Sequence, residues 1–247
     1  KLFFKPRVVV CVPSGVTEVE KRSVIDASDE AGARKTYLIE EPIAAAIGAG
    51  IDIGAPYGSM VLDIGGGTSD VAVVSLGGSV VSDSIKVAGD KFDEAIVRYI
   101  RKKHNLFIGE RTAEELKINI GSAVPRLEEI AMEVTGRNLI TGLPKTMKIS
   151  STEIYEALKD PISELIEAIQ AVIERTPPQL VSDIFNDGIV FTGGAAALTG
   201  LCEAVYAVMK IPCGVADDPQ TCVVMGCGRA LEDYSALRHL LGNGRGR

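Results

Sequence analysis

Residues 61–78, VLDIGGGTSDVAVVSLGG, restrict the fold of this chain more than any other stretch. Three consecutive glycines stand between two apolar runs, with Asp63 before them and Thr68 behind. Glycine loses more conformational freedom on folding than any other residue, so three in a row need a reason. The reason is bare backbone: amides without side chains can approach an anion closely and surround phosphate oxygens. A plain hairpin needs only one or two glycines. Thr68 adds a hydroxyl donor, and Asp63 at a strand end suits a hydrated magnesium ion, which keeps several waters and takes one or two carboxylates. The stretch therefore reads as strand, phosphate-binding turn, strand.

The rest of the chain predicts alternating strands and helices around it. Residues 8–12 form a β-branched run ended by Pro13, and Thr17 with Glu20 makes a capping box for a helix over 18–31. A strand over 36–39 leads into EEPIAAAIGAG, where Pro42 suits a first helical turn and Ala44, Ala45 and Ala46 permit close backbone packing. Strands over 60–64 and 71–76, then Gly77 and Gly78, predict an antiparallel meander continuing over 79–85. Helices are expected over 90–104 and 112–121, and short strands near 131–134 and 145–149. Ser150 and Glu153 open a long helix that TPP stops after Arg175. Strand 188–192, helix 198–209, strand 213–215 and helix 221–233 complete the pattern.

Composition narrows the function classes. With 247 residues and 46% hydrophobic content, the chain can bury one large core or two moderate ones. A net charge of −7 leaves no basic excess to neutralise phosphodiester backbones, so no nucleic-acid partner is expected. Five cysteines without a C-x-x-C pair read as reduced thiols of a cytosolic chain. Only His104 and His239 could join them at a metal, and neither lies near a cysteine cluster. The longest uncharged stretch, 188–202, is too short to span a membrane.

Two further stretches carry chemistry. FTGGAAALTG, residues 191–200, is a second glycine turn, expected to lead into a helix whose N-terminal amides favour negative or polar ligand groups. Glu40 and Glu41, before Pro42, place two carboxylates at a strand-to-helix junction, where one acid could orient a water.

Taken in order, these stretches resemble the actin, sugar kinase and DnaK-type chaperone superfamily of ATP-binding proteins. DIGGGTSD is similar to its second phosphate loop, LIEEPIAAAIGAG to its first connecting segment, and GIVFTGGAAALTGL to its adenosine motif. At finer grain KPRVVVCVPSGVTEVEKR, GERTAEELKINIGSA, TGLPKT and ERTPPQLVSDI resemble the MreB family of bacterial actin homologues. The resemblance implies an α/β, actin-like ATPase fold with ribonuclease H-like lobes. Nothing before Val61 resembles the superfamily's first phosphate hairpin, so most of the N-terminal part of the first lobe is expected to lie outside this sequence. Residues 1–55 with 224–247 would be the remainder of the first-lobe core subdomain (IA). Residues 56–91 with 152–223 would form the second-lobe core (IIA), and 92–151 its small subdomain (IIB).

The same resemblance implies roles. Gly65, Gly66, Gly67 and Thr68 would hold the β- and γ-phosphates of ATP, with Asp63 near Mg²⁺, and Glu41 would position the hydrolytic water. Glu114 and Lys117 would face the ribose and adenine, and Gly193, Gly194 and Ala195 would line the nucleotide's other side. Ala195 stands where the family has glycine, and its methyl would crowd the nucleotide if the position needs positive φ. Leu2, Phe3 and Phe4, ahead of Lys5 and Arg7, would touch a membrane surface. The implied protein is an ATP-dependent filament on the inner face of the bacterial plasma membrane. It would stack head to tail on its own copies and meet membrane proteins of the cell-wall elongation machinery to maintain rod shape. Hydrolysis would be slow in the complete protein and negligible in this chain. A DnaK-type chaperone ATPase, expected to add a peptide-binding domain after the last helix, and a small-molecule kinase, expected to show a further catalytic aspartate, are the alternatives.

Overall fold

The computed structural model describes residues 5–233 together with 242 and 243. A β-α-β-α unit comes first: β1 (Arg7–Val12), α1 (Glu18–Glu30), β2 (Lys35–Glu40) and α2 (Glu41–Gly48). A meander of β3 (Ser59–Ile64), β4 (Ser69–Ser75) and β5 (Gly78–Ile85) follows, then α3 (Gly89–His104), β6 (Leu106–Phe107), α4 (Glu110–Ile120), β7 (Ala131–Asn138) and β8 (Pro144–Ser150). The last part runs α5 (Ser151–Arg175), α6 (Pro178–Asp187), β9 (Ile189–Thr192), a 3-10 turn at Gly194–Ala197, α7 (Leu201–Met209), β10 (Cys213–Val215), α8 (Cys222–Glu232) and β11 (Gly242–Asn243).

Local chemistry accounts for several boundaries. At the start of α1 the Thr17 N–H donates to Glu20 Oε2 at 2.8 Å, and the Glu20 N–H donates to Thr17 Oγ1 at 3.3 Å, closing the capping box. Ser150 N–H donates to Glu153 Oε2 at 3.0 Å in the same way at α5. TPP does end α5, but Pro178 then sits in the first turn of α6, a helix the sequence did not predict. A proline that cannot continue one helix suits the start of another. The helix expected from Leu198 begins later, at Leu201. Residues 194–197 form a tighter turn first, and Gly200 at φ 77° separates the two. Strand β7 continues to Asn138 because its pairing with β8 persists to Arg137 opposite Pro144.

Three sheets organise the described residues. In the five-stranded sheet, order β10-β9-β3-β4-β5, β3 is parallel to β9 and antiparallel to β4. One apolar cluster fills the space between this sheet and α3, α4, α5 and α7, with Phe92, Phe191, Leu62, Ile96 and Leu116 fully buried. A second cluster surrounds α2 and joins Tyr37, Ile39, Ile43, Ala44, Ala45 and Ala46 to Ala230 of α8. The small residues serve close approach: a Cβ at Gly226 would fall inside the Ala44 carbonyl, and one at Gly48 inside the Cys222 carbonyl. The backbones of α2 and α8 touch directly, and this fixes Glu41, the first residue of α2, against the sheet ends.

Candidate functional site

Strands β3 and β9 run side by side in parallel register, with Asp63 opposite Thr192, and each ends in a glycine turn. Ligands of open α/β sheets bind outside such carboxyl ends. The first turn is closed by the Gly65 N–H donating to Thr68 O at 3.0 Å. Its flank is held by the start of α3, where the Gly89 N–H donates to Gly65 O at 3.1 Å and the Asp90 N–H to Gly66 O at 2.8 Å. Gly66 and Gly67 are exposed, so the bare backbone faces solvent.

The second turn presses on the first strand. Gly193 has φ 84°, and a Cβ there would collide with the Ile64 backbone, so only glycine lets the turn reach the end of β3. Ala195 is different. It lies in the 3-10 turn, outside the positive-φ residues, and packs partly buried against the larger core. The backbone thus gives no requirement for glycine at this position.

Carboxylates gather beside the turns. Asp63 and Asp70 are cross-strand partners in β3 and β4, 4% and 1% exposed. The Thr192 hydroxyl donates to Asp63 Oδ1 at 2.8 Å, and the Ser14 N–H, from the loop after β1, donates to Asp70 Oδ1 at 3.2 Å. Burial, and then the charge of Asp70, push the Asp63 carboxyl up to about 6 against the opposing Thr192 hydrogen bond. Glu41 is pushed up to about 7, first by burial and then by Asp63, Cys11 and Asp70. Glu40 is raised by burial, with Lys21 opposing, and Asp70 by burial despite its Ser14, Ser84 and Thr68 hydrogen bonds. Asp70 was not among the expected site residues. Its signal was there, as the closing acid of DIGGGTSD, but only strand register shows that it meets Asp63.

This donor set consists of hard oxygens with mutually repelling charges. It fits a divalent cation that keeps most of its waters and takes the rest of its ligands from phosphate. No group of three or more His, Cys, Asp or Glu among the described residues is arranged to hold a metal on its own.

Helix α4 approaches the same turn from the other flank. Lys117 Nζ donates to Asp93 Oδ2 at 2.8 Å and to Gly89 O at 3.2 Å, and the two charged side chains are each 11% exposed. Since Gly89 is bonded to Gly65, Lys117 lies one residue removed from the phosphate turn. Asp93 is raised by burial, with Lys117 opposing and Glu114 and Asp90 adding to the rise, so the exposed Glu114 shares this corner. Asp93 Oδ1 is buried without a hydrogen-bond partner. Asp93 too escaped the sequence reading, although its spacing of three from Asp90 on α3 places both on one helical face. The far end of α4 is tied to the second turn, where the Ala123 N–H donates to Thr199 O at 2.8 Å.

Other expectations fall elsewhere. Leu2, Phe3, Phe4 and His239 lie outside the described residues. Among those described, no helix is long and apolar enough to cross a membrane. A separate cavity of about 360 Å³ opens at the C-terminal end of α2, lined by Gly48, Asp217, Asp218, Thr221 and Arg229; none of the expected nucleotide residues lines it.

Comparison with known proteins bears on this geometry. The MreB/Mbl protein family profile matches residues 1–239. The cell shape-determining protein Mbl of Bacillus subtilis is 44% identical over 236 residues, covering 96% of this chain and 71% of that protein. The cell shape-determining protein MreB of Escherichia coli K12 is 50% identical over 227 residues, covering 92% of this chain and 65% of its own length. The crystal structure of MreB5 of Spiroplasma citri bound to ADP superposes with a TM-score of 0.90 at 39% identity, covering 95% of this chain and 70% of that one. The MamK double helical filament superposes at 0.79 with 20% identity, covering 93% and 69%, a likeness of fold.

Proposed function

The chain belongs to the MreB/Mbl family and has the actin-like α/β fold, and from this premise we propose that it binds ATP at the joined ends of β3 and β9 as part of a cell shape-determining filament protein. The observation that carries the reading is the convergence of two glycine turns on adjacent parallel strand ends, with Glu41, Asp63 and Asp70 beside them. ADP in the structurally similar MreB5 supports a nucleotide as the ligand.

In this reading the exposed amides of Gly66 and Gly67, with the Thr68 hydroxyl, receive phosphate oxygens, while Gly65, whose N–H closes the turn onto Thr68 O, brings the bare backbone close to them. Asp63, with Asp70 beside it, would hold Mg²⁺ through water, and the ion would supply charge neutralisation at the phosphates. Glu41 orients a water and accepts its proton; at about 7 its carboxyl is poised for that exchange near neutrality. Glu114 and Lys117 face the ribose and adenine from α4, and Gly193, Gly194 and Ala195 close the opposite side. We divide the chain as 1–55 with 224–247, 56–91 with 152–223, and 92–151; the smaller apolar cluster, mostly from the first part, supports setting that part apart, while one continuous larger cluster joins the other two.

Assembly belongs to the same proposal. Subunits stack head to tail on ATP, and the apolar Leu139, Ile140 and Leu143, exposed in the β7–β8 connection, support a surface made for contact. Leu2, Phe3 and Phe4 insert into the inner face of the plasma membrane, where the filament meets membrane proteins of cell-wall elongation. The test is a pelleting assay on the full-length protein with and without ATP and liposomes. Pelleting that needs ATP, and liposome recovery lost when Leu2 and Phe4 become serine, is the expected result. Pelleting indifferent to ATP contradicts the reading.

A further inference from the structure

Asp90, the second residue of α3, is exposed and stands against the phosphate turn, with its N–H fixed on Gly66 O at 2.8 Å. A Cβ on Gly66 would lie 3.4 Å from Asp90 Oδ1 and 3.8 Å from Oδ2, and one on Gly67 would lie 4.0 Å from Oδ2. Both carboxylate oxygens are thus close beside the two exposed glycines whose amides are assigned to phosphate. An anion has been placed next to an anion-binding turn.

An acid in the first turn of a helix gains from the helix dipole, which would by itself favour an aspartate at this position. The first amides of α3 are already engaged, however, since the Gly89 and Asp90 N–H groups donate to the carbonyls of Gly65 and Gly66. The cation of this corner is committed too: Lys117 Nζ lies 2.8 Å from Asp93 Oδ2. Asp90 itself forms no ion pair among the described residues. Its charge is felt nearby, where it adds to the rise of Asp93.

We propose that Asp90 is a specificity-determining residue of the nucleotide site: its carboxylate repels phosphate that arrives without a divalent cation, and so selects the magnesium complex of a nucleoside triphosphate over the free nucleotide. The proposal rests on the nucleotide reading above. Like charges repel only modestly in open water and more strongly where a seated phosphate excludes solvent. A bound magnesium ion cancels much of the triphosphate's charge, so the repulsion falls mainly on the uncomplexed form. The carboxylates around the turn then divide the work. Asp63 and Asp70, facing each other on β3 and β4, attract the ion, and Asp90 penalises its absence. Discrimination between two ligands comes from a repulsive group as much as from added attractive contacts.

The experiment titrates the 15N-labelled 247-residue chain with ATP, once with Mg²⁺ and once in EDTA, following the amides of Gly66 and Gly67. The quantity read is the ratio of the dissociation constant in EDTA to that with Mg²⁺. Asp90→Asn, which keeps the backbone bond to Gly66 and removes the charge, should lower this ratio about tenfold, by tightening the binding of free ATP. Asp90→Glu restores the charge and should return the ratio to within about threefold of the parent's. Glu164→Gln removes an equal charge from an exposed position on α5 and should leave the ratio unchanged. The spectrum of each variant before titration reports its fold. An unchanged ratio in Asp90→Asn, or an equal fall in Glu164→Gln, would overturn the proposal while leaving the nucleotide reading intact, provided that the parent's Gly66 and Gly67 amides shift. If those amides do not move in the parent with or without Mg²⁺, the nucleotide reading fails, and the role of Asp90 fails with it.

Discussion

Asp63 and Asp70 face each other across the β3–β4 ladder in direct register, both buried, with Glu41 near enough to sense each of them. Like charges directly opposite in a sheet are destabilising, so a fold that keeps them there without a cation gains nothing from the pair. Such clusters mark functional sites, because the same repulsion becomes attraction when a divalent ion arrives. Asp70→Asn is therefore expected to weaken ATP binding about tenfold with Mg²⁺ present and to change it little in EDTA. Isothermal titration under both conditions checks this, and an equal loss in both would move Asp70 out of the ion's surroundings.

The raised Glu41 carboxyl makes stability depend on pH with a definite sign. Its folded pKa of about 7 exceeds the ordinary 4.5, so between those values the folded state holds more proton than the unfolded one. Stability then falls as pH rises through that window, and the full penalty is present above 7. In nucleotide-free protein with EDTA, Glu41→Gln should raise the melting temperature at pH 8 by roughly 2–6 °C, for about 1–2 kcal/mol after discounting for partial exposure. At pH 4 it should change nothing. A shift of the same size at both pH values would show that the side chain's charge is not responsible.

Lys117 and Asp93 form a nearly buried ion pair whose loss from one side leaves an uncompensated charge. Asp93→Leu or Lys117→Met alone should each destabilise by about 3–5 kcal/mol, and the double variant should recover most of that. Urea unfolding of the three proteins gives the answer. Additive losses would mean that the two groups act separately.

The glycine turns make a contrast within a few residues. Gly193→Ala forces a side chain into positive φ and into the Ile64 backbone, and should cost more than about 2 kcal/mol. Ala195→Gly should lower stability by only about 0.5–1 kcal/mol and leave nucleotide affinity within about twofold. Thermal melts with nucleotide titration distinguish the two, and a large gain in affinity from Ala195→Gly would show that the methyl does crowd the ligand.

Much of the frame was legible because its signals are local. Thr17 with Glu20 and Ser150 with Glu153 announced their helices, and Ala44, Ala45 and Ala46 announced a close helix contact, later seen against Gly226. The meander followed from glycine placement. What escaped depends on partners distant in the chain or on which of two signals wins. Asp70 gains its meaning from register with Asp63, and Asp93 from Lys117, 24 residues away on another helix. At TPP the stop signal for α5 concealed the start signal for α6. From Leu198 the apolar run suggested a helix, but Leu198 is extended and Gly200 left-handed, so the helix starts only at Leu201.

The central claim is that the two glycine turns together receive the nucleotide phosphates and adenosine. Amide chemical shifts of the 15N-labelled chain during titration with Mg²⁺ and ATP test it most directly, because they locate binding at any affinity. Saturable shifts at Gly65, Gly66, Gly67, Gly193 and Gly194, reduced by Asp63→Asn, are predicted. Shifts confined to the cavity around Gly48 and Arg229, with the two turns unmoved, would contradict the account.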